Sequence, residues 1–139
     1  MATSNAATNY LERRILHYIF KNNSLSFSSP GDSLYVGLAT AVSAAETGSL
    51  TEATFTNYAR QQVTAANWTT IGADSTDTQT AKNAANIEFA ASGGTSNTIS
   101  HVFVADASTG GNILFVGALD VSKLIADGDI FRINTGNLT

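Results

Sequence analysis

Ile99-Ser100-His101-Val102-Phe103-Val104-Ala105, then Ser108-Thr109-Gly110-Gly111, then Ile113-Leu114-Phe115-Val116-Gly117-Ala118 is the stretch that decides the fold. Two runs rich in β-branched and aromatic residues around a Gly-Gly pair form the pattern of a β-hairpin. Period two places Ile99, His101, Phe103 and Ala105 on one face and Val102 and Val104 on the other. Both faces are apolar, so this hairpin is expected at the centre of a sandwich, covered on each side.

Outward from the hairpin, Leu34-Tyr35-Val36-Gly37-Leu38-Ala39-Thr40 alternates in the same way and predicts a second core strand. Short strands are expected at 87–89, 119–124 and 130–133, the last returning antiparallel to 119–124 across the turn Ala126-Asp127-Gly128-Asp129. Residues 58–70 alternate more weakly, Gln62, Thr64, Ala66 and Trp68 against Val63, Ala65 and Asn67, and give a polar strand. Segments 41–54 and 73–85 show no sustained period and are expected to be loops.

Near the N-terminus the periodicity changes. Leu11, Ile15, Tyr18 and Ile19, widened by Leu16 and Phe20, recur at helical spacing, while Glu12, Arg13, Arg14 and His17 fall mostly on the other side. Asn9-Tyr10-Leu11-Glu12 reads as a capping box, and Asn22-Asn23-Ser24 with Pro30-Gly31 as the stop, which predicts an amphipathic helix over 10–21. Residues 1–8 are small and polar and are expected to form a flexible arm. The fold class predicted is therefore mainly β: an antiparallel, jelly-roll-like β-sandwich preceded by one N-terminal helix, with 9–139 as a single domain.

Composition bounds the chemistry. The chain has 139 residues, enough for one core. Ser, Thr and Asn fill 44 positions while charged residues supply only 13%, so the surface is polar but largely uncharged. Seven Lys and Arg against eleven Asp and Glu, with no basic block, speak against nucleic-acid binding. Without cysteine there is no disulfide, thiolate ligand or thiol nucleophile. No apolar run approaches a membrane span and no signal-peptide pattern opens the chain, so neither a membrane partner nor export is expected.

The candidate chemical groups all have plainer readings. His17 and His101 lie far apart, one on a helix and one in a strand, and neither has a matched catalytic partner in sequence. Asp127 and Asp129 around Gly128, and Asp74 with Asp77, lack the ligand spacing of a calcium loop. Gly93-Gly94 and Gly110-Gly111 are hairpin glycines, because no phosphate-binding motif surrounds them. No catalytic, cofactor or metal residues are predicted, and no cofactor. Arg60 is expected to pair with Glu52 or Glu88. Tyr10, Arg13, Arg14, Tyr35, Tyr58, Arg60 and Trp68 are the candidate protein-interface residues, since aromatics and arginine concentrate at binding hot spots.

Several segments in order resemble a family of small tailed-phage virion proteins. They are Asn9-Tyr10-Leu11-Glu12 with Ile15-Leu16, then Leu34-Tyr35-Val36-Gly37-Leu38-Ala39-Thr40, then Glu52 ahead of Tyr58-Ala59-Arg60, and Asn86-Ile87-Glu88-Phe89. The longest is Ile99-Ser100-His101 through Asp106, Gly110-Gly111-Asn112-Ile113-Leu114-Phe115, Gly117-Ala118-Leu119 and Gly128-Asp129. The family pattern continues past Gly136-Asn137-Leu138 with another apolar strand, which implies that the last strand here is missing, shortened or supplied by a neighbour.

The resemblance implies a non-enzymatic structural component of a phage particle, assembled in the host cytoplasm. Members are labelled either capsid decoration or tail-fibre proteins. Fibre shafts need repeats or heptads, and this chain has neither, which favours a decoration or cement protein on the capsid surface. Its expected partners are the major capsid protein and further copies of itself, as a dimer or trimer, with residues 1–21 and loops 41–57 and 70–85 making the contacts. The alternative is a tail fibre, baseplate or tail adaptor protein. Weaker competitors are a carbohydrate-binding module using Trp68 or Tyr58, and an enzyme dependent on His101.

Overall fold

The structure is a computed structural model and describes residues 6–21, 34–69 and 80–139. Its elements in chain order are β1 (Ala6–Ala7), α1 (Asn9–Lys21), β2 (Leu34–Ala44), β3 (Ser49–Glu52), β4 (Gln61–Val63), β5 (Ile87–Glu88), β6 (Asn97–Ala105), β7 (Ile113–Ile125) and β8 (Arg132–Ile133). The architecture is mainly β, antiparallel and sandwich-like, with one helix near the N-terminus, as the sequence predicts.

The hairpin β6–β7 and strand β2 form the middle of a curled sheet in the order β1-β7-β6-β2-β3, with β4 sharing the outer edge of β2. Because the two central strands are apolar on both faces, each face carries its own core. On one side Val36, Leu38, Val102 and Val104 meet Phe55, Ile87, Phe89, Phe131 and Ile133, contributed by the β5–β8 ribbon and the segment after β3. On the other, Ala39, Val42, Phe103, Ala105 and Val116 pack together with Ala6, Leu50 and Ile113 at the margin.

Bulges account for most departures from the sequence reading. Ile99 pairs with Lys123 and His101 with Ala118, so Ser100 faces four residues of β7. That insertion moves Ile99 off the Phe103 face and into the core with Val102 and Val104. Residues 113–118 and 119–124 are consequently one bulged strand, not two.

Segment 41–54 is not a loop. β2 runs on to Ala44 and turns back through Gly48, at φ 69°, into β3. Register shifts between Ala39 and Ala41 and between Val42 and Ala44 erase the period-two signal there. Of segment 58–70, the described residues 58–69 form strand only over Gln61–Val63, because β2 gives its outer edge to β4 for three pairs and then to β3; a short 3-10 turn follows at Ala65–Asn67. Of residues 130–133, Arg132 and Ile133 form a strand, and it pairs with Ile87–Glu88 instead of 119–124, since Phe131 and Ile133 close the core on that side.

The arm is not free at its inner end: Ala6 and Ala7 pair with Val116 and Phe115, and Thr8 is buried. Thr8, not Asn9, caps the helix, its hydroxyl oxygen accepting from the Leu11 amide at 3.5 Å while donating to the Ile113 carbonyl at 2.6 Å. Residues 1–5, the helix-stop residues 22–31, and the pair Asp74 and Asp77 lie outside the described residues, as does most of the predicted docking loop 70–85.

Candidate functional site

Two features concentrate unusual chemistry: a buried polar cluster at the gap in the outer edge of β2, and the face of α1.

β4 leaves β2 at Val36 and β3 joins at Ala39, so the backbone of Leu38 lies where no regular ladder runs. Its carbonyl accepts from the Ala53 amide at 2.8 Å, and its amide donates to the Tyr58 phenol oxygen at 3.0 Å. Tyr58 in turn donates to Glu52 Oε1 at 2.8 Å, and its phenol is pushed up by burial and further by the Glu52 carboxylate it donates to. The ring joins an aromatic file, edge-on to Phe55 at 5.3 Å and stacked on Phe89 at 6.0 Å.

Glu52 also accepts two 2.8 Å bonds from Arg60, through Nε and Nη2. Burial alone would raise its carboxyl, but the bonds from Arg60 and Tyr58 and the charge of Arg60 outweigh it and hold it low. Arg60 Nη1 donates to the carbonyls of Ala107 and Gly110, each at 2.8 Å, and the guanidinium lies 5.0 Å from the Phe103 ring centroid. Arg60 therefore fastens the β6–β7 turn to the β3 edge of the sheet. Of the two expected partners it takes Glu52, while Glu88 pairs with Arg132 on the surface.

His101 is buried, which lowers its pKa, and its Nδ1 is 2.8 Å from the Ser100 hydroxyl. The same hydroxyl lies 2.9 Å from the Thr40 carbonyl, which can only accept, so this serine is bonded within the sheet. Asp129 closes its own turn, accepting from the Ala126 amide at 2.9 Å around Gly128 at φ 81°. Among the described residues no group of three or more acidic or histidine side chains is placed to hold a metal ion.

α1 is of another kind. Only Leu11 is buried; Ile15, Leu16, Tyr18, Ile19 and Phe20 are exposed, from 43% for Ile15 to 74% for Phe20. The remaining arc of the helix is basic, with Arg13, Arg14 and Lys21, and Arg14 lies over the Tyr10 ring at 5.1 Å. A helix stripe of this width normally faces a core. Here it faces solvent, and five large residues exposed to this degree leave on the order of 600 Å² of mostly apolar surface, at the upper end of what monomers carry.

The seven sequence-predicted interface residues are not one site. Tyr10, Arg13 and Arg14 lie on α1; Tyr58 and Arg60 are engaged inside the cluster; Tyr35 is half-buried on β2, and Trp68 is half-buried against the Phe55 and Phe89 core. Of the helix, which the sequence reading assigned as a whole to partner contacts, it named Tyr10, Arg13 and Arg14 as interface residues and not the exposed Ile15, Leu16, Ile19 and Phe20.

A family model described as podophage GP4 fiber I protein gp80 matches residues 6–139. No curated protein matches the chain. The chain belongs to this Gp80 family, and so to the structural proteins of a phage particle.

Proposed function

We propose that this fibre-family chain is a non-enzymatic building block of a podophage tail fibre, joined to its neighbours through α1. The fibre description of the family favours the tail alternative over capsid decoration, the reading that the lack of repeats first favoured. Length in a fibre need not come from heptads within one chain, because subunits that meet end to end build it by repetition of the subunit. The observation that carries the attachment role is the exposed apolar face of α1, which holds five of the nine large apolar residues exposed among those described.

The body suits a part held under tension. Hydrogen bonds from one arginine tie the β6–β7 turn to Glu52 across the sheet, and both faces of the central strands are packed. The test is to locate the chain in the purified virion by cryo-electron microscopy. A few symmetric copies at the tail, with α1 covered by a neighbouring subunit, are expected. Many copies over the joints of the major capsid protein would overturn the fibre reading in favour of cement.

A further inference from the structure

Charge is divided unevenly along the chain. α1 carries Arg13, Arg14 and Lys21 with Glu12 as its one acid, whereas the rest of the sequence holds four basic and ten acidic residues. The helix is thus a basic element on an acidic body.

Exposed apolar surface is divided too. Outside α1, the large apolar residues exposed among those described are Phe115, Val121, Leu124 and Ile130. All four border an open cleft at the uncovered edge of β7 and the following turn, Phe115 and Val121 from the Val104 side of the strand and Leu124 from the other, and Asp120 and Asp129 border it with them. The cations there are Lys123 and Arg132, and Arg132 is already paired with Glu88. Beyond Val116 no described strand covers the outer edge of β7.

We propose that α1 of one copy docks on the β7 cleft of a second copy, apolar stripe against Phe115, Val121, Leu124 and Ile130, with its basic arc beside Asp120 and Asp129. This names the neighbour in the fibre reading and rests on it only for its biological setting. The apolar area of the helix approaches the roughly 800 Å² per partner of a standard interface. The basic helix meets a body of net negative charge, which steers the encounter. Thr8 and Asn9 are tied by backbone bonds to Leu114 and Glu46, so the start of the helix is fixed on its own body. Because helix and cleft are different surfaces, the contact is heterologous: each copy keeps one free helix and one free cleft until a ring closes or a filament grows.

The test uses the full chain in sedimentation velocity across a concentration series. Wild type is expected to form species of two or more copies. Ile19→Asp removes the helix surface, and Asp120→Lys with Val121→Lys removes the cleft surface; all three positions are exposed, and circular dichroism checks that the fold is kept. Each variant alone is expected to associate at least tenfold more weakly, and an equimolar mixture to form a 1:1 complex, since the Ile19→Asp copy offers an intact cleft and the other an intact helix. A cleft variant that still self-associates like wild type would mean that helix meets helix and would overturn the proposal. So would a wild type that stays monomeric up to about 100 μM, a concentration that detects even weak self-association, because α1 would then serve a different protein. Neither result depends on where the chain sits in the virion, so this proposal and the tail location fail separately.

Discussion

Replacing Arg60 with alanine tests whether one side chain holds the β6–β7 turn to the β3 edge of the sheet. The guanidinium, 5% exposed, makes two bonds to Glu52 and one each to the carbonyls of Ala107 and Gly110, and covers Phe103. Removing one partner of a fully buried pair costs about 3–5 kcal/mol, mainly because the other charge is stranded. Glu52 is 31% exposed and can regain water, as can the carbonyls of a surface turn, so the expected cost falls to about 2–4 kcal/mol. At this chain length that is a melting-temperature loss of roughly 6–12 °C. Arg60→Lys keeps the charge but cannot bond Glu52 and both carbonyls at once, and should recover less than half of the loss. The assay is urea unfolding followed by circular dichroism, run as a cycle with Glu52→Gln, for which a coupling of about 1–3 kcal/mol is expected. A loss below about 0.5 kcal/mol for Arg60→Ala, or full recovery by lysine, would show that the cluster is ornamental to stability.

Other expectations follow from single contacts. A methyl added at Gly37 would overlap the Phe103 ring, so Gly37→Ala should cost about 1–3 kcal/mol in the same unfolding assay unless the ring turns away freely. Asn83 is fully buried, donates to the carbonyls of Ala85 and Asn134 and accepts from the Leu138 amide; Asn83→Ala should cost about 2–3 kcal/mol and raise amide exchange at Leu138, and unchanged exchange there would sink the assignment. Thr8→Ala loses both the cap and the bond to Ile113, and should lower stability by about 1–2 kcal/mol with visible loss of helical signal at 222 nm. Acid should destabilise in two steps. The pKa of His101 lies below its ordinary 6.5, so the unfolded chain takes up the proton first and stability falls as pH drops below 6.5; Glu52, held below 4.5, adds a second fall from about pH 4.5 downward. Histidine-to-glutamine and glutamate-to-glutamine variants should each remove one step from a melting-temperature profile against pH.

Where the chain pairs regularly, the sequence was readable. Leu34 to Leu38 and Val102 to Val104 keep period two because their ladders are unbroken, and α1 keeps its helical stripe for the same reason. The β2–β3 hairpin was lost because two bulges and small exposed residues such as Ala41 and Ser43 hide the alternation on a sheet edge. Pairing of β5 with β8 was out of reach, since two residue pairs separated by more than forty positions leave no local signature. The Arg60 partner was half legible: Glu52 and Glu88 were both in view, but the choice follows from the gap between β3 and β4, which is a property of the sheet and not of the charges. The stripe on α1 was legible as apolar, yet periodicity reports which face is apolar and says nothing of whether the covering surface belongs to the same chain.

That last distinction bears on how the helix exists at all. Thirteen residues sit at the lower limit for a helix in water, where nucleation is unfavourable and propagation gains little per residue. α1 escapes this at one end only: Thr8 caps it, the Asn9 amide donates to the Glu46 carbonyl at 2.7 Å, and Leu11 is buried. From Ile15 to Phe20 the exposed side chains have no body to pack on among the described residues, so the far turns draw little stability from the fold that carries them. A partner that covers this face would supply both the apolar contact and the remaining helical order. Part of its binding energy would then go into ordering the helix, and docking would be weak for one copy and strong only where many copies act together, as repeated subunits in a particle do.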